Sequence, residues 1–143
     1  MGRYPVSVEY VVVATDSDGV LAEIEAAIGS TEVEIERVHS GREVRQAVIN
    51  TEPDLVILDM QIGSMGGIAA CHDLRLEIGA GRLAPQPILM LLDREADVFL
   101  AARSDADGWL IKPLDPRRIS RAVSTLIAGG SFTEGPDMSA AAS

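Results

Sequence analysis

The sequence predicts a doubly wound α/β domain in which five parallel strands alternate with five helices. Three observations support this prediction. Short runs rich in Val, Ile and Leu recur along the chain, and stretches with helical spacing of apolar residues separate them. Only 3% of the residues are aromatic, so the core must be aliphatic. A chain of 143 residues is long enough for one domain, and right-handed crossovers would place helices on both faces of its sheet.

The first strand and helix are predicted at the start of the domain. Residues 8–14 form a nearly continuous apolar run, which indicates a strand that is buried on both faces. The strand ends at Thr15 and Asp16. Asp18 is then predicted to cap a helix that Gly29 ends.

The second and third strands differ in pattern. Residues 33–38 alternate between apolar and charged side chains, as is typical of a strand near a sheet edge. Residues 40–43 have the spacing of a capping box and predict a helix to about Asn50. Residues 55–58 form a fully apolar strand that delivers Asp59 at its end.

The second half of the domain repeats the alternation. Glycines in the segment 63–67 predict a loop before the third helix, and prolines introduce a strand at 88–92. A short helix at 98–103 and a strand at 109–111 follow, and Pro116, after Asp115, opens the last helix. The domain is expected over residues 8–128, after an N-terminal extension at 1–7. Residues 129–143, rich in Ser, Ala, Gly and Pro, are expected to be a disordered tail.

Composition limits the possible functions. The net charge is −10 and no basic patch is visible, which argues against nucleic-acid binding. The single cysteine, Cys71, excludes an internal disulfide and fits a reducing compartment. There is no signal-type segment and no apolar run of roughly 20 residues, so a cytoplasmic protein without membrane contact is expected.

Three charged residues fall at predicted carboxyl ends of strands. Lys112 is the only lysine, and Asp16 and Asp59 follow the first and third strands. In doubly wound sheets, ligands bind beyond these strand ends. Two carboxylates suit Mg²⁺, and a carboxylate nucleophile with Mg²⁺ and Lys can support phosphoryl transfer. A lone Asp at such a position is also often only a helix cap.

Over residues 8–128 the chain resembles the receiver domain of bacterial two-component response regulators, which has a flavodoxin-like fold. The resemblance implies that Asp59 is the phosphoacceptor and that Asp16 is a metal-binding acid. In the loop after Asp59, Gln61 has the position whose backbone carbonyl binds Mg²⁺. Lys112 with Pro113 is similar to the family's lysine and cis-proline. Trp109, after the segment Ala106-Asp107-Gly108, takes the place of the switch aromatic.

The chain also departs from the family pattern. Thr15 occupies the place of the first acidic residue, so Mg²⁺ affinity is expected to be weakened. Leu92 replaces the Thr or Ser whose hydroxyl bonds the phosphoryl group. Gly63 stands at a common proline position, and the loop after Leu92 is about two residues shorter than usual. These departures predict an atypical member.

The resemblance implies a single-domain receiver in phosphorelay signal transduction. Its partner would be a histidine kinase or phosphotransfer protein, with a homodimer possible through the fourth helix, fifth strand and fifth helix. The chain would not be an enzyme beyond self-phosphorylation from a phosphodonor and slow autodephosphorylation. Arg117, Arg118 and Arg121 in the last helix predict a solvated face, or alternatively a docking surface.

Two alternatives stay open. The first is a pseudo-receiver that keeps the fold and binds a constitutive protein partner without phosphorylation. The second is a haloacid-dehalogenase-like phosphatase, because Asp16 and Asp18 after an apolar strand are similar to that family's nucleophile motif. Such enzymes need further acids after their lysine, whereas only one helix and a tail follow Lys112.

Overall fold

A computed structural model describes residues 8–63 and 65–136. Its five parallel strands form one sheet with the order β2-β1-β3-β4-β5, which confirms the predicted doubly wound fold. The strands are β1 (Glu9–Ala14), β2 (Val33–Val38), β3 (Leu55–Asp59), β4 (Ile88–Leu92) and β5 (Gly108–Ile111). The alternating strand β2 lies at a sheet edge, as its pattern predicts.

Among the described residues, five α-helices connect and follow the strands. They are α1 (Asp18–Ile28), α2 (Val44–Thr51), α3 (Gly67–Gly79), α4 (Val98–Arg103) and α5 (Pro116–Ile127). Short 3₁₀ turns at Gly41–Glu43 and Glu95–Asp97 precede α2 and α4. None of the helices in the described ranges is long and apolar enough to cross a membrane.

The sheet separates two aliphatic clusters. On one face, Ile24 of α1 and Ile119 of α5 pack with inward residues of the strands. On the other face, residues of α2, α3 and α4 pack against the alternate strand positions. The three central strands are buried along almost their whole length, because helices cover both sides of the sheet. This burial explains the continuous apolar runs.

The helix starts agree with the predicted capping residues at Ser40–Glu43 and with the predicted start of α5, and they correct the predicted cap of α1. Asp115 accepts a hydrogen bond from the Arg118 N–H at 2.9 Å, and in the Ser40–Glu43 capping box the Glu43 carboxylate accepts from the Ser40 N–H at 3.0 Å. That box opens the 3₁₀ turn that leads into α2. The N-cap of α1 is Ser17, whose hydroxyl accepts from the Val20 N–H at 3.1 Å, whereas Asp18 is the first helical residue. Prediction of Asp18 as the cap was therefore wrong by one position.

The segment after α5 returns to the sheet. The Trp109 N–H donates to the Phe132 carbonyl oxygen at 2.9 Å, and Gly108 and Phe132 form a parallel bridge. Residues 131–136 therefore have defined contacts, which differs from the expected disordered tail at 129–143. The composition suggested disorder, but the open edge of β5 supplies partners for this segment. Residues 1–7 and 137–143 lie outside the described residues.

Candidate functional site

Asp59 and Lys112 meet at the carboxyl edge of the sheet. Asp59 is the last residue of β3 and is 1% exposed, and Lys112 directly follows β5. The Lys112 ammonium nitrogen Nζ donates a hydrogen bond to Asp59 Oδ1 at 2.7 Å. The two strands are separated by β4, so the long lysine side chain spans that gap. The structure thus brings the predicted nucleophile and cation into contact.

Thr15 completes the surroundings of the Asp59 carboxylate. Its hydroxyl donates to Asp59 Oδ2 at 2.7 Å, and the Gln61 N–H donates to Oδ1 at 3.1 Å. Thr15 is fully buried at the end of β1. Both Asp59 oxygens are therefore engaged by donors of the chain itself, and a neutral hydroxyl stands where the family pattern has an acid.

Asp16 lies beside the loop that follows β3. Its Oδ2 accepts a hydrogen bond from the Gly63 N–H at 2.6 Å. Proline, which is common in the family at the position of Gly63, has no N–H and could not make this bond. The departure at Gly63 thus gives Asp16 a partner within the protein.

The residues that could hold Mg²⁺ are few. Within the ranges 8–63 and 65–136, no group of three or more His, Cys, Asp or Glu side chains is arranged to hold a metal ion. At the ends of β1 and β3, the carboxylates of Asp16 and Asp59 lie at the carboxyl edge together with the Gln61 carbonyl. Mg²⁺ commonly takes one or two protein carboxylates and keeps several waters, so this oxygen set suits the ion. Thr15 adds no carboxylate to this set.

Asp93 is a site residue that sequence reasoning missed. It directly follows β4, and its Oδ1 accepts from Lys112 Nζ at 2.9 Å. The ammonium group of Lys112 is therefore shared between two carboxylates. A signal was available, because an acid that follows an apolar strand is the same feature that identified Asp16 and Asp59.

The shared ion pair shifts two pKa values. Burial acts to raise the pKa of Asp93, but its hydrogen bond and ion pair with Lys112 outweigh burial, so the pKa lies below the ordinary value. Burial acts to lower the pKa of Lys112, yet the hydrogen bonds to Asp59 and Asp93 hold it above the ordinary value. Lys112 is accordingly a firmly held ammonium ion at neutral pH.

Leu92, Trp109 and Pro113 occupy the remaining positions that the resemblance singles out. Leu92 is fully buried and packs in the core with Val98 and Trp109. The Trp109 side chain is 7% exposed, and its indole N–H donates to the Glu134 carbonyl oxygen at 2.9 Å. The Lys112–Pro113 peptide bond is cis, as predicted.

Arg37 is a second residue that the sequence did not single out. From the end of β2, its Nε donates to the Thr15 carbonyl oxygen at 2.9 Å, and its Nη1 pairs with Asp18 at 3.0 Å. Its Nη2 is buried and has no hydrogen-bond partner among the described residues. Arg37 thus fixes the end of β1 beside Asp59, and it engages the exposed Asp18 carboxylate that the phosphatase alternative requires.

Sequence comparisons agree with this geometry. A family model described as the response regulator receiver domain matches residues 11–124. The transcriptional regulatory protein GltR of Pseudomonas aeruginosa is 29% identical over 126 residues, which cover 86% of this chain and 51% of GltR. The DNA-binding response regulator MtrA of Mycobacterium tuberculosis is 32% identical over 111 residues, covering 76% of this chain and 46% of MtrA. The chain spans about half the length of these curated relatives.

Solved structures share the fold. A response regulator from Chloroflexus aurantiacus has a TM-score of 0.74 and 26% identity, with 85% of this chain and 99% of that chain covered. A receiver domain of a signal transduction histidine kinase from Syntrophus aciditrophicus has a TM-score of 0.73 and 26% identity, with 91% and 98% covered. These likenesses favour a receiver domain over the phosphatase alternative. With the family match across most of its length, the chain belongs to the response regulator receiver domain family.

Proposed function

We propose that the chain is an atypical receiver that takes a phosphoryl group on Asp59 in two-component signalling. Receiver domains act in such systems with histidine kinases or phosphotransfer proteins, and they are signalling modules rather than enzymes. The observation that carries the proposal is the contact of 2.7 Å between Lys112 Nζ and Asp59 Oδ1. It places a cation against the one buried carboxylate at the carboxyl end of β3.

The proposed reaction is a displacement at phosphorus. An Asp59 oxygen forms a bond to phosphorus, and the bond between phosphorus and the donor's leaving group breaks with its electron pair on the leaving group. Lys112 stays protonated and compensates negative charge on the phosphoryl oxygens. Because Thr15 and Gln61 donate to the two Asp59 oxygens, the attacking oxygen first gives up a hydrogen bond. That loss, about 1 kcal/mol or more, favours slow phosphorylation.

Mg²⁺ is the cofactor that fits this site. Asp16, Asp59 and the Gln61 backbone carbonyl would hold it, and the bound ion would neutralise charge on the transferred group. Asp16 would exchange its hydrogen bond with Gly63 for the metal. The hydroxyl of Thr15, which already donates to Asp59, supplies no third carboxylate, so we expect weak affinity.

Intact-mass measurement tests the assignment of Asp59. Purified protein is treated with acetyl phosphate and Mg²⁺, and wild type is compared with Asp59→Asn and Asp18→Asn. We expect one phosphoryl adduct in wild type, none in Asp59→Asn and an undiminished adduct in Asp18→Asn, because Asp18 is exposed and pairs with Arg37. An equal adduct in Asp59→Asn would refute the assignment.

A second function is favoured by a separate observation. Leu92 is fully buried and offers no hydroxyl, and Trp109 is held inward by Glu134. Both features suit a pseudo-receiver that binds a protein partner without phosphorylation. Absence of any adduct in wild type, with Trp109 fluorescence unchanged by phosphodonor and Mg²⁺, would establish this alternative over the first. Cytoplasmic action and a homodimer through α4, β5 and α5 belong to the proposal in either case.

A further inference from the structure

The outer edge of β5 is occupied by the chain's own C-terminal segment, residues 131–136. An edge strand normally leaves a row of backbone N–H and C=O groups unpaired, which can accept another strand. Here the Trp109 N–H donates to the Phe132 carbonyl oxygen at 2.9 Å, and the Ile111 N–H donates to the Glu134 carboxylate at 2.9 Å. The two outward-facing donors of β5 are thus both satisfied within the chain.

Arg118 of α5 holds this segment in place. Its Nε donates to Glu134 Oε2 at 2.7 Å, and its Nη2 contacts the other Glu134 oxygen. The same guanidinium donates to the Ile111 carbonyl oxygen at 2.9 Å and to the Pro113 carbonyl oxygen at 2.8 Å. A planar fork can make such a paired contact, whereas a lysine could not. Arg118 is therefore not part of a freely solvated face, which corrects that expectation.

The fit of the segment is close. A Cβ atom at Gly108 would lie 2.5 Å from the Phe132 carbonyl oxygen, so the approach requires glycine there. Phe132 packs against the α1 and α5 side of the core, and its ring lies 5.8 Å from the Arg121 guanidinium carbon. Near Gly135, the segment reaches Val98 of α4 and Ile111. It thus crosses the sheet edge between α5 and α4.

We propose that the outer edge of β5 is a binding site for an extended acidic segment, and that residues 131–134 fill it in cis. A ligand for this edge needs a backbone carbonyl that accepts from Trp109 and, two residues later, a carboxylate that accepts from Ile111 and Arg118. A partner strand of that chemistry must displace the resident segment before it binds. This inference does not depend on phosphorylation of Asp59, since every contact lies outside the phosphoacceptor pocket.

Amide hydrogen exchange of the full chain tests the resident contact. Variants are Glu134→Ala, Glu134→Gln and, as the matched control, Thr133→Ala, because Thr133 is exposed on the same segment. In Glu134→Ala, we expect the Trp109 and Ile111 amides to exchange at least about tenfold faster than in wild type. In Glu134→Gln, we expect the same acceleration for the Trp109 amide. In both variants the cause is the loss of charged hydrogen bonds. Thr133→Ala should match wild type. Unchanged exchange of both amides in Glu134→Ala would overturn the proposal. Protected amides of β1 and β3 in the same spectra show that each variant is folded.

Peptide binding in trans tests the site itself. The probe is a capped peptide spanning residues 128–136, and its control carries Gln in place of Glu134. The indole N–H resonance of Trp109, the only tryptophan, reports occupancy. The acidic peptide should move this resonance toward its wild-type position in Glu134→Ala and leave the wild-type protein unaffected. Equal effects of both peptides, equal effects on both proteins, or no effect on Glu134→Ala would contradict the inference.

Discussion

Thr15 changes the chemistry of the site at the scale of one residue. With an acid at this position, two carboxylates would lie side by side and would need a cation to offset their repulsion. The Thr15 hydroxyl instead donates to Asp59 Oδ2 at 2.7 Å. A fully buried carboxylate is thereby satisfied by neutral and cationic donors that the chain provides.

The first prediction concerns Thr15→Asp. The new carboxylate should raise Mg²⁺ affinity by at least about tenfold, because it restores the acid that the family pattern has at position 15. Without Mg²⁺ the variant should lose roughly 1–3 kcal/mol of unfolding free energy, since a buried hydrogen bond is replaced by like-charge repulsion. Thermal unfolding measured at increasing Mg²⁺ concentrations reports both effects. Thr15→Val is the control, and it should lose stability without gaining Mg²⁺ affinity. Equal Mg²⁺ binding by Thr15→Asp and wild type would count against this account.

The second prediction concerns the Lys112 ammonium. Reductive ¹³C-methylation labels Lys112 and the α-amino group alone, because the chain has one lysine. Asp93→Asn should lower the Lys112 pKa, since one of its two carboxylate partners is removed. The raised pKa of Lys112 stabilises the fold below its unfolded value of 10.5, and this stabilisation is lost as pH rises through the folded pKa. Asp93→Asn should therefore lose part of this stabilisation, so its free energy of unfolding at neutral pH should be lower than that of wild type.

Glu95→Gln is the control for this measurement, because Glu95 is a nearby exposed acid. Its NMR titration of Lys112 should match that of wild type. An unchanged Lys112 titration in Asp93→Asn would show that Asp93 does not hold the ammonium.

Site residues were predictable where residue type and strand position both pointed to them. Asp59 and Lys112 follow apolar strands, and the chemistry of a carboxylate and a lone lysine directed attention to them. Asp93 satisfies the same rule, but attention at that strand end went to the missing hydroxyl of Leu92. The contact of Arg37 with the Thr15 carbonyl depends on how far a long side chain reaches across neighbouring strands, which spacing along the sequence does not encode.

At the scale of elements, helix α1 offers two adjacent candidates for its N-cap, Ser17 and Asp18. Ser17 and Asp18 are both good N-cap residues, so the sequence alone does not decide between them. The structure assigns the capping bond to the Ser17 hydroxyl, whereas Asp18 pairs with Arg37 from the first turn. Element type was predictable from periodicity, but a boundary depends on which side chain reaches the free N–H groups.

The third prediction separates these two residues. Ser17→Ala should lower the free energy of unfolding by about 1 kcal/mol, because the Val20 N–H loses its acceptor. Asp18→Ala should lower it by less, about 0.5 kcal/mol, since its carboxylate is 92% exposed. Urea unfolding followed by circular dichroism measures both. A larger loss in Asp18→Ala would restore Asp18 as the cap.

The fourth prediction concerns the pH dependence of the C-terminal segment. Hydrogen bonds from Arg118 lower the pKa of Glu134 below its ordinary value of 4.5. A lowered pKa stabilises the folded contact above 4.5, and the stabilisation is lost as pH falls through the folded value. Asp115 shares Arg118, and its pKa is also lowered, chiefly by the Arg118 backbone hydrogen bond. The Trp109 amide should therefore stay protected through the neutral range and lose protection below pH 4.5.

Glu134→Gln distinguishes this effect from general acid unfolding. The variant should show weak protection of the Trp109 amide at neutral pH and no additional local loss as pH falls below 4.5. A pH dependence identical to that of wild type would assign the transition to other carboxylates.

At the scale of the whole molecule, the sheet was predictable from the sequence, but the packing of residues 131–136 against the edge of β5 was not. Five apolar runs separated by helical patterns predict the doubly wound sheet, because strands covered on both faces are apolar throughout. The tail has the composition of a disordered segment, yet the edge of β5 and Arg118 give residues 131–136 a binding site. Local composition does not reveal a partner that only the folded domain creates.

The Asp59–Lys112 pocket and the outer edge of β5 are connected through the backbone around Lys112. Lys112 lies between Ile111 and Pro113, and Arg118 contacts the carbonyl oxygens of both. The backbone that carries the ammonium is therefore held by the group that also binds Glu134. The Asp59–Lys112 pocket and the C-terminal segment therefore meet at the end of β5.

The most direct test of the central claim is chemical location of the phosphoryl group. After treatment with acetyl phosphate and Mg²⁺, borohydride reduction converts a phosphorylated aspartate into homoserine, and peptide mass spectrometry identifies the position. The account predicts homoserine at position 59 and at no other acid. Reduction at Asp16 or Asp93 in place of Asp59, or no reduced residue at all, would contradict it.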